Sequence, residues 1–141
     1  MLKLYLDASV LVGLLAPDAL SARADALLRT RRFVVFVSDF AAAEFASALG
    51  RRVRTGQLAA EKARAAFAGF DAWTARTARR VDATTADVRA AEAFLRRLDL
   101  TLRTPDALNI AIAQRTGAAL ATFDEKMAVS ARALTVEVVE A

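Results

Sequence analysis

Three short apolar runs, Leu2 to Leu6, Phe33 to Val37 and Ala118 to Phe123, are separated by long stretches whose apolar residues recur at helical spacing. That alternation constrains the fold more than any other feature. Strands joined through helices run mostly parallel, because only a long crossover returns the chain to the same end of a sheet. The run Phe33 to Val37 is continuously β-branched and aromatic, as expected of a strand covered on both faces. Arg80-Val81-Asp82 and Thr135 to Val139 read as two further strands.

The intervening segments carry helix signals. Val10 to Leu15, ahead of Pro17, reads as a short helix or turn, and Ala19 to Thr30 as an amphipathic helix. Ser38 or Asp39 caps a helix reaching about Val53. After the break at Gly56, Leu58 to Ala75 is helical and aligns Phe67, Phe70 and Trp73 as a stripe for the core or an interface. Thr84 or Thr85 caps a helix presenting Val88, Ala91, Leu95 and Leu98 on one face. Thr104 as N-cap with Pro105 at the first helical position starts a helix that ends at Gly117. A short helix follows Asp124. No repeat or linker divides the chain, so residues 1–141 form one α/β domain with helices on both faces of a mostly parallel sheet.

Composition narrows the chemistry. There is no cysteine, which excludes disulfides, thiolate zinc sites, iron–sulfur clusters and cysteine nucleophiles. There is no histidine either, which excludes Ser-His-Asp triads and imidazole bases. Carboxylates, hydroxyls, amides, Lys and Arg remain. The net charge is +4, and arginine supplies 17 of the 20 basic residues, a bias that suits an anionic partner. The apolar run Ala8 to Ala16 is far short of the about 20 residues that cross a bilayer. Asp7 interrupts any signal-peptide core, so the expected location is cytoplasmic, away from membranes.

In parallel sheets, ligands bind beyond the carboxyl ends of the strands. Asp7 closes the first apolar run, Asp124 closes the run from Ala118, Asp106 lies in the first turn of the Thr104 helix, and Glu44 lies on the helix after Ser38. Each has an ordinary reading: Asp7 and Asp124 as helix caps, Asp106 as an acid favoured by the helix dipole, Glu44 as a solvent-facing residue. As a group they belong at one end of the sheet, where they repel unless cations join them. Oxygen donors without His or Cys select hard ions, Mg²⁺ first, then Mn²⁺, with Ca²⁺ also compatible. Ser9 and Thr122, each two residues from a site aspartate, are placed to orient carboxylates or water. An acidic pocket in a basic surround suits a phosphodiester.

The segments Tyr5-Leu6-Asp7-Ala8-Ser9, Ser38 through Glu44-Phe45, Leu102 through Leu108, and Thr122 through Met127 together resemble the PIN-domain family. Within it the chain is most similar to the VapC toxins of type II toxin–antitoxin pairs. The closing Ala131 to Leu134 and Val136 to Val139 fit as well. The resemblance implies a three-layer α/β/α sandwich and a Mg²⁺- or Mn²⁺-dependent endoribonuclease with Asp7, Glu44, Asp106 and Asp124 as its acidic quartet. It further implies these four acids as the metal ligands, Asp7 and Asp106 foremost, with Ser9 and Thr122 as supporting residues, a homodimer, and a small cognate antitoxin. Asn109 stands where many relatives carry His, one helical turn from Asp106 and within hydrogen-bonding reach of it. Two other readings compete. An aspartyl-phosphate phosphatase needs a second Asp two residues after the first, where this chain has Ser9. A catalytically inactive PIN-like module would serve only to bind protein or RNA.

Overall fold

The structure is a computed structural model describing residues 1–16, 18–29 and 32–140. The elements run β1 (Leu2–Leu6), α1 (Ala8–Leu15), α2 (Ser21–Arg29), β2 (Phe33–Ser38), α3 (Asp39–Arg54), α4 (Ala60–Thr77), β3 (Ala78–Val81), α5 (Thr85–Arg96), α6 (Thr104–Thr116), β4 (Ala119–Ala121) and α7 (Glu125–Ala133). The sheet order is β3-β2-β1-β4, with every pairing parallel. The position of Thr30, expected at the end of α2, and Pro17 fall outside the described residues.

The strand pleat sorts side chains into two cores. Leu4, Leu6, Val35, Val37, Ala119 and Ala121 pack with α1 to α4 on one face. Tyr5, Phe36 and Leu120 pack with α5, α6 and α7 on the other. The result is the expected three-layer α/β/α sandwich. Among the described residues, no helix is long and apolar enough to cross a membrane.

The aromatic stripe of α4 belongs chiefly to the core. Phe70 is buried and stacks on Phe45 of α3 at 4.8 Å, while Phe67 meets Phe45 edge-on at 6.1 Å. Gly13 lets α1 lie against α2: a Cβ there would stand 3.1 Å from the Ala24 Cβ and 3.3 Å from the Leu20 carbonyl oxygen.

Four local expectations are corrected. The last strand, Thr135 to Val139, is reduced to a single bridge, Leu120 to Val138. Its neighbour β4 has only three residues, so there is little ladder for it to extend. β4 itself stops at Ala121 rather than Phe123, because its partner β1 ends at Leu6 and enters a helix. The buried face of α5 is Asp87, Ala91, Phe94 and Leu95. Val88 is exposed, and Leu98 lies beyond the helix at φ +66° and is 90% exposed. The N-cap of α6 is Arg103, one residue before Thr104.

The buried residue on α5 is an ion-pair anchor. Asp87, 1% exposed, accepts from Arg115 Nε at 2.7 Å and Nη2 at 3.0 Å, and its Oδ2 accepts the Thr84 N–H at 2.9 Å in a capping box. Burial pushes the Asp87 carboxyl up, but the bonds from Arg115 and Thr84 outweigh it and hold the pKa below the ordinary carboxylate value. A carboxyl with a lowered native pKa stabilises the fold above its unfolded pKa of about 3.9 and loses that contribution as pH falls through the native value. Arg115 is partly exposed, which discounts the pair. Asp87→Asn is expected to cost about 2 kcal/mol near neutral pH, with the difference from wild type shrinking below about pH 4. Urea unfolding at the two pH values measures this, and equal midpoints at neutral pH would contradict it.

Candidate active site

Asp7 follows the last residue of β1, and its N–H still bonds the Ala121 carbonyl at 3.2 Å, the final rung between β1 and β4. Its carboxylate is 5% exposed. Oδ1 accepts from Ser9 Oγ at 2.6 Å and from the Val10 N–H at 3.2 Å, so Asp7 is also the N-cap of α1. Oδ2 accepts from Thr122 Oγ1 at 2.5 Å. The two hydroxyls hold the strand ends together in turn: Ser9 Oγ accepts the Phe123 N–H and Thr122 Oγ1 the Asp124 N–H, each at 3.0 Å. Ser9 and Thr122 therefore both orient one carboxylate. Burial pushes the Asp7 carboxyl above its usual range, opposed by the bonds from Ser9 and Thr122.

Glu44 is half-buried, one turn into α3. Its Oε1 accepts from Asn109 Nδ2 at 2.7 Å. Asn109 is 2% exposed on α6, a helix buried from Ala107 to Ala113. The same Nδ2 donates to the Pro105 carbonyl at 3.0 Å, and Oδ1 accepts from the Tyr5 hydroxyl. Tyr5 also meets Ser38 Oγ at 2.6 Å, and Ser38 Oγ accepts the Ala41 N–H at 2.9 Å as the cap of α3. Burial pushes the Glu44 carboxyl up, the Asn109 bond opposes this, and the negative charges of Asp7 and Asp106 add to the rise. Burial likewise holds the Tyr5 hydroxyl above the ordinary phenol range, so it stays a proton donor.

Asp106 lies in the first turn of α6, partly exposed, and its Oδ2 accepts the Arg103 N–H at 3.1 Å. The expected bond between Asn109 and Asp106 is absent: the Asn109 amide is fully engaged by Glu44, Pro105 and Tyr5. Asp124 is exposed, caps α7 through the Met127 N–H at 3.1 Å, and adjoins Asp7 through Thr122. It lines a cleft of about 110 Å³ with Arg23 and Arg132. Asp7, Glu44 and Asp106 are thus electrostatic neighbours drawn from β1, α3 and α6, with Asp124 at their margin. The helix-terminus readings hold at the same time: each of the three aspartates also accepts a backbone N–H at the start of a helix.

The sequence pattern does not single out Tyr5 and the Ser38 hydroxyl as site residues. The available signal was a lone tyrosine in an aliphatic buried strand, since such a hydroxyl needs a partner. Among the described residues, no buried side-chain nitrogen or oxygen lacks one.

Among the described residues, no three acids close into a metal cage. A hard ion does not require one. Mg²⁺ keeps several waters and is commonly held by one or two carboxylates. The all-oxygen donors and the negative charge that Asp7 and Asp106 bring to bear on Glu44 fit such an ion.

A parallel three-layer α/β domain with an acidic group at the carboxyl ends of its strands defines the class. The PIN domain family model matches residues 4–133, and the chain belongs to that family. The fold is similar to that of VapC20 of Mycobacterium tuberculosis, a sarcin–ricin loop cleaving toxin, at 24% identity and a TM-score of 0.75, covering 99% of this chain and 100% of that one. It is also similar to a chain in VapBC2 from Rickettsia felis bound to a promoter DNA fragment (15% identity, TM-score 0.68, 98% of each chain). VapBC-1 from nontypeable Haemophilus influenzae is a third likeness (14%, 0.65, 99% of this chain and 98% of that chain). A comparison with curated proteins finds no match.

Raised carboxyl pKa values carry a pH signature. A carboxyl that titrates higher in the native state than in the unfolded chain stabilises the fold as pH falls through the native value toward about 4. The metal-free protein is expected to gain melting temperature on acidification from pH 7 to pH 5. Glu44→Gln keeps the acceptor for Asn109 and removes the repulsion. That variant should melt a few degrees higher at pH 7 and gain less on acidification. Thermal unfolding in EDTA at both pH values tests this, and a Glu44→Gln protein that melts lower than wild type at pH 7 would contradict it.

Proposed function

We propose that this protein is a Mg²⁺-dependent endoribonuclease, with Mn²⁺ as an alternative ion, acting as the toxin of a type II toxin–antitoxin pair. The observation that carries the reading is the gathering of Asp7, Glu44 and Asp106 from three separate parts of the chain, with the charges of Asp7 and Asp106 both bearing on Glu44. In this reading Asp7 and Asp106 hold the ion, Glu44 completes its surroundings, and Asp124 joins from the margin. When bound, the ion supplies Lewis-acid stabilisation of charge at the phosphate and lowers the pKa of water.

The chain's own residues supply the rest. Ser9 and Thr122 hold Asp7 so that both of its oxygens are fixed. With no histidine in the chain, a carboxylate takes the proton of the attacking water, and Glu44, held by Asn109 beside the two ion-holding aspartates, is the residue proposed for that task. In-line attack by water breaks the bond from phosphorus to the 3′-oxygen, leaving a 5′-phosphate and a 3′-hydroxyl. Surface arginines hold the flanking phosphates.

The partners follow from the same reading: an RNA substrate, a small cognate antitoxin, and a second copy of the chain in a homodimer, all in the cytoplasm. Structures of similar fold have been solved as VapBC and FitAB assemblies, which supports the pairing.

Incubation of total RNA with the purified protein, with Mg²⁺ or with EDTA, tests the activity. Wild type is expected to cut at mappable sites only with the ion. Asp7→Asn is expected to lose at least about 100-fold in rate while remaining folded, because removing a group that organises the reacting centre costs that much. A folded Asp7→Asn protein with full ion-dependent activity would overturn the site assignment. RNA binding without cleavage by wild type would favour the inactive binding module.

A further inference from the structure

The buried polar chain behind Glu44 has a single consistent direction. The one Tyr5 hydroxyl proton goes to Asn109 Oδ1, so Ser38 Oγ must donate to Tyr5 while accepting the Ala41 N–H. With Oδ1 accepting from Tyr5, both Asn109 amide protons face acceptors, Glu44 Oε1 and the Pro105 carbonyl. A flipped amide would set its oxygen against those two acceptors. Asn109 is therefore locked, and with it one oxygen of Glu44. The chain joins four elements: β2 through Ser38, β1 through Tyr5, α6 through Asn109 and α3 through Glu44. Its members before Glu44 are all buried.

We propose that Tyr5 is a positioning residue of the active site, acting with Ser38 through Asn109 to hold the Glu44 carboxylate toward Asp7 and Asp106. Tyr5 does not touch substrate or ion; it fixes the group that does. Two observations separate this role from simple core packing. The Tyr5 ring already has its apolar contacts in the second core, so the hydroxyl is not needed to fill space. The polar chain also reaches a carboxylate of the acidic group, in addition to the Pro105 carbonyl that a purely structural role would need. Glu44 is the acid that most needs such a hold, because its neighbours repel it and it lacks the two side-chain hydroxyl bonds that Asp7 has.

The inference rests on the nuclease reading, and the test separates the two. Tyr5→Phe keeps the ring and deletes the hydroxyl. RNA cleavage by Tyr5→Phe, Glu44→Gln and the double variant forms a double-mutant cycle. A second readout is the Mg²⁺ concentration giving half of the ion-induced rise in melting temperature. Loss of a group that orients a ligand costs about 10- to 100-fold in affinity or activity. Tyr5→Phe is expected to lower kcat by about that factor with KM for RNA unchanged, and to raise the Mg²⁺ midpoint. In the Glu44→Gln background it is expected to change neither. Independent losses in the double variant, or a lowered melting temperature with kcat and the Mg²⁺ midpoint intact, would overturn the proposal. If wild type cuts no RNA, the nuclease reading fails, and the Mg²⁺ midpoint alone decides whether Tyr5 acts through Glu44. Should Tyr5→Phe not fold, Asn109→Ala enters the same cycle and is judged by the same outcomes.

Discussion

Asp7 is a carboxylate buried at the carboxyl end of the inner strand β1, and the arrangement around it organises the domain. Burying an unpaired carboxylate costs several kcal/mol, so the chain must supply donors at that point. It supplies three: the Ser9 hydroxyl, the Val10 N–H and the Thr122 hydroxyl. Meeting that demand has structural consequences. Strand β1 stops and α1 starts at the same residue. Strand β4 leaves the ladder so that Thr122 can reach across, and the Phe123 and Asp124 N–H groups are taken up by Ser9 and Thr122. The strand ends are tied together by the bonds that hold the acid.

A second network serves Glu44 through Asn109, Tyr5 and Ser38. The two networks differ in kind. Asp7 is held by residues next to it in sequence and by the adjacent strand. Glu44 is held by groups remote in sequence, which meet only because the parallel crossovers bring β1, β2, α3 and α6 to one edge. The pleat that places Leu4 and Leu6 in one core turns Tyr5 into the other, where Asn109 waits. Moving β1 by one residue would exchange its faces and separate the pair.

This difference explains what was legible in the sequence. Local patterns carry the apolar strands Leu2 to Leu6 and Phe33 to Val37, a helix cap at Ser38, the Gly117 stop at φ +69°, and Asp7 directly after β1. Ser9 and Thr122 were legible because they stand two residues from aspartates. The face of α5 was misread because its buried stripe contains a charged residue, Asp87. That residue is inside only because Arg115, 28 positions later, pairs with it. Periodicity of apolar residues cannot register a buried ion pair. Tyr5 was hidden for the same reason: its partners, Ser38 and Asn109, are 33 and 104 positions away. The closing strand looked regular by composition, yet β4 was too short to carry it as a ladder.

In the proposed function, Asp7, Glu44 and Asp106 form one cation-binding edge. The most direct measurement is a crystal structure of the protein soaked in Mn²⁺, with the ion located by its anomalous scattering. A manganese peak is expected within coordination distance of Asp7, at the carboxyl end of β1, and of Asp106, in the first turn of α6. A well-occupied peak elsewhere, with those carboxylates bare, would contradict it.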